Sequence, residues 1–211
     1  MIPYSIYDYL SFIIPGGMIL FTAVYGWFGW PWHEPGGTAL VGIVAAAFVI
    51  GNAVAALASW VEPIFLGSIP GTRPDGLWGQ FAKGDRYEDR RSEVEAVFRR
   101  RYDDNLDHSY RLAQVDLRNL GKSGDLDRIN SQIGFYRGMA VASGVSLLIE
   151  VTYVTAWHSH LPSALWMAIF AVLSLLSIYR YRRFWRYFGD YVIRTVTTLE
   201  RESGRGSEAG S

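Results

Sequence analysis

Four apolar blocks, Tyr9 to Trp30, Thr38 to Trp60, Gly138 to Trp157 and Ser163 to Ile178, constrain this chain more than any other feature. Each is about as long as the roughly 20 helical residues that cross the hydrocarbon core of a bilayer. Half of the 211 residues are apolar, an unusual balance for a soluble domain. The expected fold is all-α: a polytopic membrane protein with four transmembrane helices in two hairpins and a cytoplasmic helical insertion between them. Hairpin 1 is expected over 1–62, with spans at about 9–30 and 38–60, and the insertion over 63–132. Hairpin 2 follows over 133–181, with spans at about 138–157 and 163–180, then a juxtamembrane helix over 182–202 and a disordered tail over 203–211. The opening "MIPYSIYDYL" has neither a basic residue nor a small-residue cleavage site after its apolar stretch, so the first block is read as a retained span.

Charge placement sets the orientation. The loops "PWHEPGG" and "HSHLPS" contain no Lys or Arg, and every basic residue lies between Glu62 and Arg137 or after Ile178. Cytoplasmic loops collect Lys and Arg, so the middle segment, the tail and the N-terminus are all expected inside. Tryptophans agree, because indole rings prefer the headgroup level. Trp27, Trp30, Trp32 and Trp157 fall at the outer interface, Trp166 a turn deeper, and Trp60 and Trp185 at the inner one.

Within the first span, "IIPGGMI" places Pro15, Gly16 and Gly17 together, and a kink or helix break is expected there. Gly51, Ala55 and Ser59 in the second span, and Gly138, Ala142 and Ser146 in the third, form small-residue ridges on which other helices can pack closely. In the insertion, Asp85 and Glu88 read as a capping box before a helix whose face carries Tyr87, Val94, Phe98 and Tyr102. A second helix carries Tyr110, Ala113, Leu117 and Leu120 and ends at "GKSG". A third, with Leu126, Ile129, Ile133 and Tyr136 on one stripe, should run from about 125 to 157 without a break, and the fourth span should likewise continue past Gly189.

Glu150 is the most informative single residue. Counting helical rise, it lies roughly 20 Å from Arg137 and roughly 12 Å from His158, inside the hydrocarbon region. An ionised carboxylate there is expensive, so Glu150 should be protonated, face the bundle interior or line a wet cavity. Thr22 and Tyr25 of the first span reach a similar depth and are candidate partners, while Asn52 reads as interhelical glue. The plain reading is a neutral Glu bonded to a neighbouring helix; the functional one is a proton or ion site.

Other clusters are less specific. His33, Glu34, His158 and His160 are the right types for zinc or nickel, but short polar turns hold such residues without metal, so no metal or cofactor is expected. In "RRRYDDNLDHS", Arg99, Arg100 and Arg101 are candidates for an anionic ligand or headgroup, against the alternative of a solvated, self-neutralising helix end. In "RYRRFWRYF", Arg180, Arg182, Arg183 and Arg186 suit an anionic inner leaflet. With zero formal net charge, nucleic acid is not an expected partner. No phosphate loop, nucleophile elbow or two-histidine zinc helix is present, and an enzyme is not expected.

The opening "YDYLSFIIPGGMIL", with "FYRGM" leading into the third span, resembles a pattern in small uncharacterised bacterial four-helix membrane proteins. The resemblance covers the two hairpins and implies a protein of the bacterial inner membrane. It carries no catalytic residues. Some small proteins that look like this act as membrane effectors in phage defence. The expected function is an oligomeric membrane effector or pore-like module controlled by its cytoplasmic part; the alternative is a membrane-anchored scaffold or adaptor. Expected partners are the lipid bilayer, further copies of the chain, and a cytoplasmic protein or small anionic ligand.

Overall fold

The structure, a computed structural model, describes residues 6–28, 37–62, 89–121, 123–157 and 161–208. Among them every regular element is a helix: α1 (Ile6–Phe28), α2 (Gly37–Val61), α3 (Arg91–Arg101), α4 (Leu106–Asn119), α5 (Ser123–Trp157) and α6 (Leu161–Glu208). Three are long and apolar enough to cross a membrane: α2, the α5 stretch Gly124–Ala156 and the α6 stretch Ala164–Glu202. The apolar stretch of α1, Tyr9–Val24, is shorter. The chain divides into two compact units, Met1–Ile64 with Ser131–Tyr181, and Phe65–Asn130 with Arg182–Ser211.

The first unit is inverted relative to a soluble bundle. Its interior is small and partly polar, with Ala47, Gly51, Ala58, Ala142, Ser143, Ser146 and Glu150 buried. Its exterior is large and apolar: Leu40, Val41, Val49, Leu148, Leu165, Val172 and Leu175 are all exposed. In water so extensive an apolar surface would drive association, whereas hydrocarbon solvates it at no cost. Helix contact must then come from close approach of small residues rather than from the hydrophobic effect.

Such an approach joins α1 to α2. A side chain at Gly16 would strike the carbonyl oxygen of Ala47, and one at Gly51 would strike the carbonyl oxygen of Phe12. The two backbones therefore touch reciprocally, with a glycine Cα–H aimed at a carbonyl from each side. Since Phe12 meets Gly51 and Gly16 meets Ala47, the pair is antiparallel. Phe48 adds ring contacts to Tyr9 and Phe12 on the same face. α1 continues as a helix through Pro15, so a break there is corrected; Gly16 serves the crossing.

α5 packs beside α1 in parallel: Gly138 lies near Ser11 and Pro15, and Ser143 near Met18. Pro15 has no N–H to offer the Ser11 carbonyl. That carbonyl lies on the side of α1 where Gly138 leaves room. α6 returns antiparallel to α5, with the Ser174 hydroxyl donating to the Ala140 carbonyl at 3.3 Å.

The third-span ridge Gly138, Ala142 and Ser146 is buried as expected. Of the second-span ridge, Gly51 is buried together with Ala47, Val54 and Ala58, while Ser59 is exposed. A strict four-residue spacing turns by about 40° per step beyond a full turn, so it leaves a contact face within two steps.

The second unit has its own core of Val94, Phe98, Tyr110, Ala113, Leu117, Leu126, Val192, Ile193 and Val196. α3 starts at Arg91 after Arg90 with no side-chain cap, later than the expected start; Asp85 and Glu88 lie outside the described residues. α4 is capped by Asn105, whose Oδ1 accepts from the amides of Asp107 and His108 at 3.0 and 3.2 Å. It ends at Gly121, whose φ of 72° explains the glycine in "GKSG". α5 and α6 are unbroken as expected, and α6 remains helical to Glu208. The tail expected to be disordered is thus helical over 203–208, because extending an existing helix needs no new nucleus even through Gly204 and Gly206.

Candidate functional site

Glu150 is 3% exposed, on the face of α5 that also buries Ser143 and Ser146. It faces the bundle interior, one of the arrangements expected for it. No hydrogen bond ties its carboxyl to another described residue, and the fully buried hydroxyl of Ser146 one turn earlier is without a partner among them. Both are unusual: a buried polar group without a partner is costly, and most are satisfied. Two other buried hydroxyls of this unit turn onto their own helices. Thr22 donates to the Met18 carbonyl at 2.8 Å, and Ser143 donates to the Met139 carbonyl at 2.7 Å. Thr22 is therefore buried but not bonded to Glu150, and the expected neutral bond to a neighbouring helix is not made by it. The side chain of Tyr25 lies outside the described residues.

Register places the surroundings of this pair. Because Ser143 lies beside Met18 in a parallel pair, Thr22 is level with Ser146 and Leu147. Because Ser174 meets Ala140 in an antiparallel pair, the stretch Ala164 to Phe170 is level with Glu150 and Ser146. There Trp166 stacks on Phe170 at 5.9 Å and meets Phe21 edge-on at 5.8 Å, forming an aromatic wall.

A second polar cluster in the same unit joins the end of α2 to the interiors of α5 and α6. The Arg137 guanidinium donates to Glu62 Oε2 at 2.8 Å, and the fully buried Tyr181 hydroxyl donates to Glu62 Oε1. In sequence Glu62 and Arg137 figure only as the limits of apolar blocks. The signal that points to them is that α2, the spanning part of α5 and α6 all reach a polar side chain at the expected inner face.

Asn52 is exposed and donates to the Phe48 carbonyl of its own helix at 2.8 Å, so within this chain it is not interhelical glue. The insertion arginines are largely neutralised within their unit. Arg100 and Arg101 face the Glu200 carboxylate at 3.6 and 3.8 Å, and Arg101 also bonds Asp116 at 3.2 Å. The Tyr102 hydroxyl donates to the same Asp116 oxygen at 3.0 Å, and burial together with that bond pushes its phenol up to about 12. Asp103 is held below the usual carboxylate range by its bond to His108, helped by the Asn105 amide. This is the self-neutralising helix end, with Arg99 left exposed. Arg180 is also exposed, Arg183 bonds and overlies Tyr187, and the Arg186 Nε is buried without a hydrogen bond. No group of three metal-ligating side chains occurs among the described residues, and His33, Glu34, His158 and His160 lie outside them.

No protein-family model matches the chain, and no curated protein or solved structure is similar to it at a significant level. The functional reading therefore rests on the residues themselves.

Proposed function

We propose that this chain is a bacterial inner-membrane protein whose helical bundle acts as an oligomeric, pore-like effector under the control of its cytoplasmic unit. The observation that carries the reading is the pair Ser146 and Glu150, one turn apart and buried in the bundle, the Ser146 hydroxyl without a partner among the described residues. A bundle needing only to anchor would fill these positions with apolar groups, because intramembrane ionisable residues are costly and mark ion or proton pathways. In this reading α1, 23 residues long, is the fourth span, and the charge asymmetry supports both termini lying inside.

Assembly is supported by the outer face of α2. Gly42, Ala45, Val49, Asn52, Ala56 and Ser59 recur at alternating three- and four-residue spacing, and all six are exposed. An amide facing hydrocarbon is better satisfied against another helix, and the small residues around it permit close approach. The second reading, a membrane-anchored adaptor, draws on the separate core of the cytoplasmic unit.

Ion flux into liposomes carrying the full-length protein or Glu150→Gln decides between the two. The substitution keeps size and hydrogen bonding but removes ionisation. Flux in the wild type, reduced at least about tenfold in the variant, an effect of about 1.4 kcal/mol on the barrier, is the expected result. Absence of flux in both, with both folded alike, replaces the pore reading with the adaptor.

A further inference from the structure

We infer that Glu150, with Ser146, is a proton-binding site and that the ion passed by the bundle is the proton. The inference rests on the permeation reading above and names its ion.

The argument is one of counting ligands. A hard cation stripped of water needs about six or more oxygens around it. At the level of Ser146 and Glu150, α5 offers one carboxyl and one unpartnered hydroxyl. α1 offers Thr22, whose hydroxyl proton is committed to the Met18 carbonyl. α6 offers the apolar and aromatic stretch from Ala164 to Phe170, with Trp166 and Phe170 stacked. α2, antiparallel to α1 with Gly16 at Ala47, brings Leu40 to Val44 to this height. That set falls short of a shell for sodium or potassium. It suffices for a proton, which needs one basic oxygen and no volume.

Charge gives the same answer. None of the residues that α1, α2 and α6 bring to this level among those described is charged or titratable, apart from Tyr25, whose side chain lies outside the description. On α5 itself Tyr153 is the nearest other titratable group. A carboxylate that takes up one proton becomes neutral and matches its apolar surroundings, whereas one that binds a metal ion in so incomplete a shell does not. Ser146, as both donor and acceptor one turn away, can hold a hydrogen bond to either form of the acid. Uptake from one side and release to the other then needs only alternating access of water to a single carboxyl group.

Two measurements on the full-length protein in liposomes test this. Dicyclohexylcarbodiimide, an apolar reagent that adds to protonated carboxyl groups, should give an adduct on Glu150 by mass spectrometry, and none at that position in Glu150→Gln. With a potassium diffusion potential and a pH dye inside, proton entry should fall at least tenfold in Glu150→Gln. It should be retained in Glu150→Asp and slowed several-fold in Ser146→Ala, with no sodium or potassium flux. Sodium or potassium flux that Glu150→Gln leaves unchanged overturns the proton as the ion. Flux of any ion without an adduct overturns the site while leaving permeation intact. An adduct without flux of any ion overturns the permeation reading, and with it the passage of protons, while the binding site stands.

Discussion

Tyr181 shows how much one hydroxyl can hold. It is fully buried, and its partner Glu62 also receives Arg137, so a single carboxylate fastens three helices. Hydrogen bonds to charged groups are worth about 1.5–3 kcal/mol, and partial access of water to Glu62, whose side chain is 22% exposed, argues for the lower part of that range. Tyr181→Phe is expected to cost about 1–2 kcal/mol in reversible unfolding in mixed micelles. Tyr179→Phe, at an exposed position two residues away, should stay within about 0.5 kcal/mol. Equal effects would mean that the cluster is not holding the helices. The cluster was not legible in the sequence because its members lie 75 and 119 positions apart, and a charge at the end of a span signals orientation equally well without a partner. Glu150 was legible as a buried acid because depth follows from counting rise along one helix. That it faces the interior depends on where three other helices stand.

At the level of helices, the crossing of α1 and α2 makes the sharpest prediction. Gly51→Ala drives a methyl group into the Phe12 carbonyl, a backbone atom that cannot turn aside, and overpacking of this kind costs about 1–3 kcal/mol or more. Gly42→Ala, in open space on the same helix, should be neutral or stabilise by up to about 1 kcal/mol through the helix propensity of alanine. Unfolding midpoints of the two variants side by side check this, and similar values would rule out the close crossing. Helix identity and length were largely readable. The apolar blocks gave α2 and the spanning parts of α5 and α6, and the lack of any breaker stronger than Gly134 and Gly189 predicted that α5 and α6 run on. Packing faces were readable only as permissions: of the row Gly51, Ala55 and Ser59 on α2, Gly51 meets α1 and Ser59 faces outward. A row of small residues marks where close approach is permitted, and only the partner helix decides which permitted row is used.

For the whole molecule the open question is assembly, and Asn52 is where to ask it. Its amide stands exposed on α2, bonded only to its own helix among the described contacts. Interhelical bonds from such residues contribute about 0.6–2 kcal/mol each in a membrane. Asn52→Val is therefore expected to lower the oligomeric mass seen by native mass spectrometry, or to weaken association about threefold or more per contact, without unfolding the chain. A wild type that is monomeric at every protein-to-detergent ratio would remove the oligomer from the proposal. Charge asymmetry lets a topology be proposed because it is a property of whole loops. The composition of the second unit was not readable, since its core joins Val94 and Phe98 near the middle of the sequence to Val192, Ile193 and Val196 near its end. The contact between Gly16 and Gly51 bears on ancestry as well as stability. Outward-facing residues of the first unit need only be greasy, so they can drift among Leu, Val and Ile until overall resemblance is gone, while a main chain pressed against another main chain leaves no room for any side chain at all. A remote cousin of this chain is thus to be sought by two glycines, one just after the proline of the first helix and one midway along the second, rather than by the residues between them.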